Sequence, residues 1–180
     1  MAIKLFGLDG VTGDGGVDAG NIVGSSFICP VHGTVTELHV YLSTGGQNVS
    51  AGIYADNAGV PGALIVSGSA FCGGPAWNTI PITSTPVIVG TTYWLAFVLE
   101  TAGSNSVYAN AGKSLSYRVA SGYPCPDPFG TASILPDYEA CIAAYGTASY
   151  IGKIAGMEYA TVKKAGGILV ASIKSIGGVA

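Results

Sequence analysis

The amino-acid sequence predicts an all-β protein whose body is an antiparallel β-sandwich or barrel. Two observations predict this class. Between residues 27 and 145, short runs rich in β-branched and aromatic residues are separated by turn signals spaced roughly 8–12 residues apart. No segment repeats its apolar residues with the helical period of about 3.6. The 180 residues are enough for one good core, so we expect one body with an arm at either end.

The first element is a glycine- and aspartate-rich segment over residues 1–24, which predicts an irregular N-terminal arm. Asp9, Asp14 and Asp18 supply carboxylates of the kind that bind calcium, but their spacing matches no EF-hand loop. We therefore predict no metal site and no cofactor.

The body, residues 25–148, is predicted to contain about eight strands. In the first strand, Leu38, Val40 and Leu42 share one face, whereas Val35, Glu37, His39 and Tyr41 share the other. The predicted strands are residues 35–42, 48–54, 64–66, 78–82, 87–89, 92–99, 115–119 and 140–145.

The last element, residues 149–180, is an 11-residue tandem repeat. Residues 153–163 are followed by the similar residues 164–174, and a third copy begins at Ser175. Its glycines disfavour a helix and its β-branched residues favour strands, so we predict a hairpin of residues 157–162 and 168–173. Because a lone hairpin is marginal in water, we expect this tail to pack on the body or on a neighbouring subunit; a floppy, sticky tail is the alternative. The predicted assembly residues are Tyr159, Val162, Ile168, Val170 and Ile173.

Charge is sparse and unevenly distributed. Only 9% of the residues are charged, against about 25% in typical domains, and no apolar run approaches the ~18 residues of a membrane span. The low charge content and the lack of a membrane span favour a surface covered by partners, or a secreted sandwich with a neutral polar surface.

The charge is also unevenly distributed, since residues 1–150 carry a net charge of −6 and residues 151–180 carry a net charge of +3. The tail could therefore pair with the body of a neighbour, or its lysines could protect strand edges. The sequence contains no basic stripe with interleaved aromatic residues, so we predict no nucleic-acid binding.

Four cysteines leave two interpretations open. Cys125 and Cys141 would close a short proline-rich loop as a disulfide, and Cys29 would then pair with Cys72. Alternatively, all four are reduced and buried, as is usual in a cytosolic protein. The sequence contains no CxxC spacing, so we predict no zinc site.

Two segments carry a resemblance to a known family. Residues 51–64 (AGIYADNAGVPGAL) and the pair 76–80 (AWNTI) and 89–97 (VGTTYWLAF) resemble jelly-roll modules of phage virion and bacterial surface proteins. The resemblance covers about residues 35–100 and implies a jelly-roll sandwich that binds or assembles. In that sandwich, Trp77 and Trp94 would be large core fillers. The tail is similar to short Lys/Gly repeats at the ends of phage structural proteins.

The function predicted from these features is a virion structural protein of a bacteriophage, a capsid decoration or a tail or fibre component. It would assemble with copies of itself and with other virion proteins. The N-terminus lacks the pattern of a signal peptide, so we expect synthesis in the host cytoplasm and location in the virion. No catalytic set is recognised, although Glu37 and His39 could pair on one strand face. The alternative is a carbohydrate- or receptor-binding module, with Tyr108, Tyr117 and Tyr123 stacking on sugars.

Overall fold

The structure, a computed structural model, describes residues 1–10, 17, 19–101, 107–118 and 122–149. In the tail it describes residues 153–154, 157–158, 162–165 and 168–171. For residues 107–118, 135, 137 and the tail it describes the backbone alone. All regular elements in these ranges are strands, and among these residues no helix is long and apolar enough to cross a membrane.

Outside the tail, the described residues form ten strands. They are β1 (Ile3–Gly7), β2 (Ile22–Ile28), β3 (His32–Leu42), β4 (Gln47–Asn57), β5 (Val60–Cys72), β6 (Ala76–Val87), β7 (Thr92–Leu99), β8 (Val107–Arg118), β9 (Ser133–Ala140) and β10 (Ile142–Ser149).

The ten strands form two antiparallel sheets that pack as a β-sandwich, which confirms the predicted all-β class. The four-stranded sheet has the order β1-β10-β3-β6, and the six-stranded sheet has the order β5-β4-β7-β2-β8-β9. The chain crosses repeatedly from one sheet to the other, at β1 to β2, β2 to β3, β3 to β4, β5 to β6, β6 to β7 and β9 to β10.

The main core lies between the sheets. Strand β3 contributes Leu38, Val40 and Leu42, and the facing strand β7 contributes Leu95 and Phe97. All five side chains are fully buried. Since burying one such side chain contributes about 1.5–3 kcal/mol, this cluster is the main source of stability for the sandwich.

A second interior lies on the other side of the six-stranded sheet. Residues 122–132 cross its outer face and place Phe129 and Cys125 against Tyr54 and Trp94. The Tyr54 and Phe129 rings meet edge to face, with centroids 5.3 Å apart. Strand β7 is therefore buried on both faces.

Of the two tryptophans predicted to fill the core, Trp94 does so and Trp77 does not. Trp94 is 2% exposed but lies in the second interior, where its indole N–H donates to Asp56 Oδ1 at 2.8 Å. Trp77 is only half-buried, on the outer face of the four-stranded sheet opposite Tyr41. The prediction for Trp77 was wrong, because strand β6 places it on the face opposite to the buried Ile80.

Val35 also lies on the face opposite to the predicted one. It is fully buried with Leu38 in the main core. The register between β3 and β10 shifts at this point, since Glu37 pairs with Tyr145 and Val35 pairs with Gly146. A β-bulge adds one residue and so reverses the alternation.

The terminal segments contain a larger number of strands than the arm and tail predictions specify. Ile3–Gly7, assigned to an irregular arm, forms β1 on the edge of the four-stranded sheet and buries Leu5 and Phe6. Two tail hairpins pair β11 (Lys153–Ile154) with β12 (Met157–Glu158), and β13 (Val162–Ala165) with β14 (Ile168–Ala171). The second hairpin places Lys163 and Lys164 in a strand, where the sequence predicted a turn.

Candidate functional site

The outer face of the four-stranded sheet carries a group of aromatic and polar side chains. Strand β3 supplies Glu37, His39 and Tyr41 at alternate positions, because the inward positions between them carry core residues. The neighbouring strands complete three rungs, in which Tyr145 pairs with Glu37, Thr79 with His39, and Trp77 with Tyr41. We call these six residues the aromatic face: Glu37, His39, Tyr41, Trp77, Thr79 and Tyr145.

His39 is at the centre of the aromatic face. Its Nε2 lies 3.1 Å from Glu37 Oε1 and 3.4 Å from the Thr79 hydroxyl. Its ring stacks on the ring of Tyr145, with centroids 3.9 Å apart and planes inclined by 14°. Because the same nitrogen faces both a carboxylate and a hydroxyl, the Glu37 carboxylate accepts a hydrogen bond when Nε2 carries the proton. These contacts fix the orientation of the imidazole ring.

Tyr41 and Trp77 form the second aromatic pair on this face. Their ring centroids are 5.6 Å apart and the ring planes are inclined by 66°, an edge-to-face arrangement that aromatic quadrupoles favour. Both side chains are half-buried, and Thr79 is exposed. Part of each aromatic surface therefore remains available to solvent.

This face offers several kinds of contact to a ligand. It offers ring surfaces, one carboxylate, one imidazole and one hydroxyl. It holds a single carboxylate, so it lacks the pair of carboxyl groups that glycoside hydrolysis ordinarily uses. Within the ranges that the structure describes, no group of three or more His, Cys, Asp or Glu side chains is placed to hold a metal ion.

The three predicted sugar-stacking tyrosines differ in how far the structure describes them. Tyr123 is half-buried and packs against the second interior. Tyr108 and Tyr117 lie on β8, where the structure describes the backbone alone. Of the three aspartates considered as calcium ligands, Asp9 forms an ion pair with Lys4 at 2.7 Å, while Asp14 and Asp18 lie outside the described residues.

The predicted assembly residues fall partly within the described tail. Val162, Ile168 and Val170 lie in β13 and β14, with Val162 opposite Ala171 and Val170 opposite Lys163. Tyr159 and Ile173 lie outside the described residues. The described backbone pairing of these two strands ends with Ala165 opposite Ile168.

All four cysteines are free and buried, so the structure contains neither of the two disulfides considered. The thiols have separate neighbours, since Cys29 Sγ donates to Val31 O at 3.0 Å and Cys141 Sγ lies 3.8 Å from Gly10 O. Cys125 is packed in the second interior, where burial raises the pKa of its thiol to about 11. Burial likewise raises the thiol pKa of Cys29 and Cys72.

Trp77 and Tyr145 were not predicted as site residues. The alternation of residues 35–42 placed Glu37, His39 and Tyr41 on one face, but it contains no information about which strands flank them. A signal was available for Trp77, because Trp77, Thr79 and Pro81 occupy alternate positions and so share one face of the strand. The buried Ile80 lies on the other face. Tyr145 could not be recognised, since it is more than 100 residues away in sequence from its partner.

Comparison with known proteins adds no family to this description. No protein-family model matches the chain, and no curated protein matches it significantly.

Proposed function

We propose that this chain is a non-catalytic structural protein of a bacteriophage virion, a capsid decoration or a tail or fibre component that assembles with copies of itself. The observation that carries the proposal is an apolar patch at one end of the sandwich. The architecture and the sparse charge support the same function.

The apolar end patch consists of Ile28, Ile88 and Val89, which are 68%, 55% and 44% exposed. Hydrogen bonds hold the two segments side by side, since Gly90 N donates to Cys29 O at 2.8 Å and Cys29 N donates to Thr91 O at 2.9 Å. Residues 25–36 and 81–99 contain no aspartate, glutamate, lysine or arginine. Exposed apolar side chains grouped without charges favour a protein contact.

The strand order supports a jelly-roll assignment. A jelly roll has eight strands in two sheets built from Greek-key connections, and it is common in viral capsid and lectin domains. Strands β1, β10, β3 and β6 would form one four-stranded half, and β2, β7, β4 and β5 the other, with β8 and β9 as an extension beside β2. A fold does not by itself specify a function, so this order supports the proposal without carrying it.

The tail supplies a second element for assembly. Its described strands form two-stranded hairpins, which need further packing for stability in water. The +3 charge of residues 151–180 is opposite in sign to the −6 of residues 1–150. This difference would orient the tail of one copy towards the body of the next.

The self-assembly is tested by sedimentation velocity of the full chain across a wide concentration range. Wild type is expected to form a discrete oligomer, and Ile88→Lys is expected to shift it towards monomer because a charge then lies in the contact. Phe71→Lys is the matched control, since Phe71 is 67% exposed on β5 and outside the patch. A wild-type monomer at every concentration, or equal effects of both substitutions, would contradict self-assembly through this patch.

The virion assignment is tested on particles of a phage that encodes the chain. Mass spectrometry of particles purified by density gradient is expected to detect the chain at a stoichiometry of many copies per particle. Its absence from intact particles, when it is present in the infected cells, would refute the assignment.

A further inference from the structure

We infer that the aromatic face binds a neutral saccharide, with Trp77 as the stacking residue and Glu37 as the residue that selects hydroxyl groups. This activity goes beyond the proposed assembly function, and it uses the four-stranded sheet, whereas the apolar end patch lies elsewhere.

The rings of the aromatic face suit a sugar ring. An aromatic ring carries partial negative charge on its face, so it attracts the weakly positive C–H groups on the apolar side of a pyranose. Trp77 and Tyr41 are half-buried and held by their mutual edge-to-face contact at 5.6 Å. Because the pair is already ordered, little side-chain entropy is lost when a ligand stacks on it.

The polar groups beside these rings suit hydroxyl groups. The Glu37 carboxylate has two oxygens and about four acceptor positions, of which His39 occupies one side at 3.1 Å. Thr79, one rung away, provides an exposed hydroxyl that can donate or accept. A carboxylate and a hydroxyl next to an aromatic ring match the alternating apolar and hydroxylated surfaces of a sugar.

The charge of the face selects against anionic ligands. Glu37 is its only carboxylate, and none of its six residues is a lysine or an arginine. The nearest described cation along the same rung is Lys4 on β1, opposite Tyr145, and its ammonium is already paired with Asp9 at 2.7 Å. An anionic sugar would therefore meet the Glu37 carboxylate with no lysine or arginine among the six residues, which favours a neutral saccharide as the ligand class.

The backbone of the face argues against an added peptide strand. Strand β3 is paired on both sides, to β10 and to β6, so its backbone groups cannot accept another strand in the plane of the sheet. A ligand must bind from above, through side chains. This requirement fits a saccharide that stacks on rings.

The test is a titration of the full chain with neutral oligosaccharides, namely hexasaccharides of β-glucan, xylan, mannan and galactan, with oligogalacturonate as the anionic probe. The chain contains two tryptophans, and Trp94 is 2% exposed, so a ligand on the aromatic face would change the emission of Trp77. At least one neutral hexasaccharide is expected to change the emission, and oligogalacturonate is not.

Three variants assign the binding to this face. Trp77→Phe is expected to abolish the emission change and Trp77→Ala to weaken affinity by about tenfold or more, as for a central aromatic contact. Glu37→Gln keeps the side-chain size and is expected to weaken affinity several-fold with an unchanged unfolding midpoint. Phe71→Ala, an exposed aromatic on the other sheet, is the control with wild-type affinity.

Three outcomes would overturn the inference. The first is that no neutral hexasaccharide gives a response, either by calorimetry or by emission. The second is that Trp77→Ala and Glu37→Gln both keep the wild-type affinity, and the third is that oligogalacturonate binds more strongly than every neutral probe. Sedimentation of the same variants separates this result from the assembly proposal, because the aromatic-face substitutions should leave the oligomer unchanged.

Discussion

At the scale of single residues, the second interior is held by hydrogen bonds between groups far apart in sequence. The Tyr54 hydroxyl donates to Pro126 O at 2.8 Å, and Leu64 N donates to Asp127 Oδ1 at 3.0 Å. Cys125 N donates to the Ser50 hydroxyl, which in turn donates to Gly68 O. Because the bonds of Pro126, Asp127 and Cys125 tie residues 122–132 to β4 or β5, the loop behaves as part of the sandwich.

The Cys125 thiol is expected to make stability fall at alkaline pH. Its pKa is raised from the ordinary value of 9.0 to about 11 by burial. Between these values the unfolded chain has lost the thiol proton while the folded chain retains it, so unfolding releases a proton and is favoured as the pH rises. We expect the free energy of unfolding to fall by up to about 3 kcal/mol from this residue, since one unit of pKa corresponds to about 1.36 kcal/mol.

Urea denaturation at several pH values between 8 and 11 measures this effect, with the pH window set by the two pKa values. The matched control is Cys125→Ala, which removes the thiol and should flatten the pH dependence by the same amount. If the free energy of unfolding fell equally steeply with pH in the variant and in the wild type, Cys125 would not contribute to the pH dependence.

The four thiols are expected to be unreactive in the folded protein. All four are buried, and a thiol reacts as its thiolate, which burial disfavours. Alkylation with iodoacetamide at pH 8 under native conditions should give little labelling, whereas the chain unfolded in guanidinium without reductant should take up four labels. Fewer than four labels in the unfolded, unreduced chain would indicate a disulfide.

At the scale of elements, one glycine permits the close approach of β5 and β6, two strands that belong to different sheets. A Cβ atom on Gly68 in β5 would lie 2.0 Å from Pro81 O in β6. Gly68→Ala is therefore expected to push the two strands apart and to destabilise the protein by about 1–3 kcal/mol, the usual cost of overpacking.

Gly73→Ala is the matched control for this substitution, because a Cβ atom at Gly73 meets no atom within 4 Å. Thermal and urea unfolding of both variants measure the difference. A Gly68→Ala variant as stable as Gly73→Ala would show that the two strands can separate at little cost.

The sequence predicted the kind of element better than the extent or environment of each one. Strand β7 was predicted with its observed bounds, 92–99, because its apolar run is continuous. Strand β5 was predicted as residues 64–66 but extends from Val60 to Cys72, since its serines and glycine are held by pairing with β4 and not by their own propensity. The bulge beside Val35 depends on the register with β10, which no local pattern specifies.

The candidate site shows the same limit. Alternation predicted that Glu37, His39 and Tyr41 would share a face, and they do. Their partners Trp77 and Tyr145 come from strands distant in sequence. Which strands lie next to β3 is decided by the packing of the whole sandwich, so the aromatic face could be recognised only from the structure.

At the scale of the whole molecule, the body has two interiors separated by one sheet. Phe129 is the central side chain of the second interior and is fully buried against Tyr54. Phe129→Ala is expected to lower the free energy of unfolding by about 3–5 kcal/mol, because it removes a large buried ring and leaves a cavity. Phe71→Ala, at a side chain that is 67% exposed, should change stability by less than about 0.5 kcal/mol.

Urea unfolding monitored by Trp94 emission measures the effect, since Trp94 lies in the same cluster. If Phe129→Ala were as stable as Phe71→Ala, the loop over the six-stranded sheet would not be a stabilising layer.

The burial of β7 on both faces has a consequence for hydrogen exchange. Tyr93, Leu95, Phe97 and Leu99 belong to the main core, and Trp94, Ala96 and Val98 belong to the second interior. Local opening of either interior leaves β7 covered by the other and paired to β4 and β2. The β7 amides should therefore exchange only through global unfolding, and their exchange rates would report the stability of the entire sandwich.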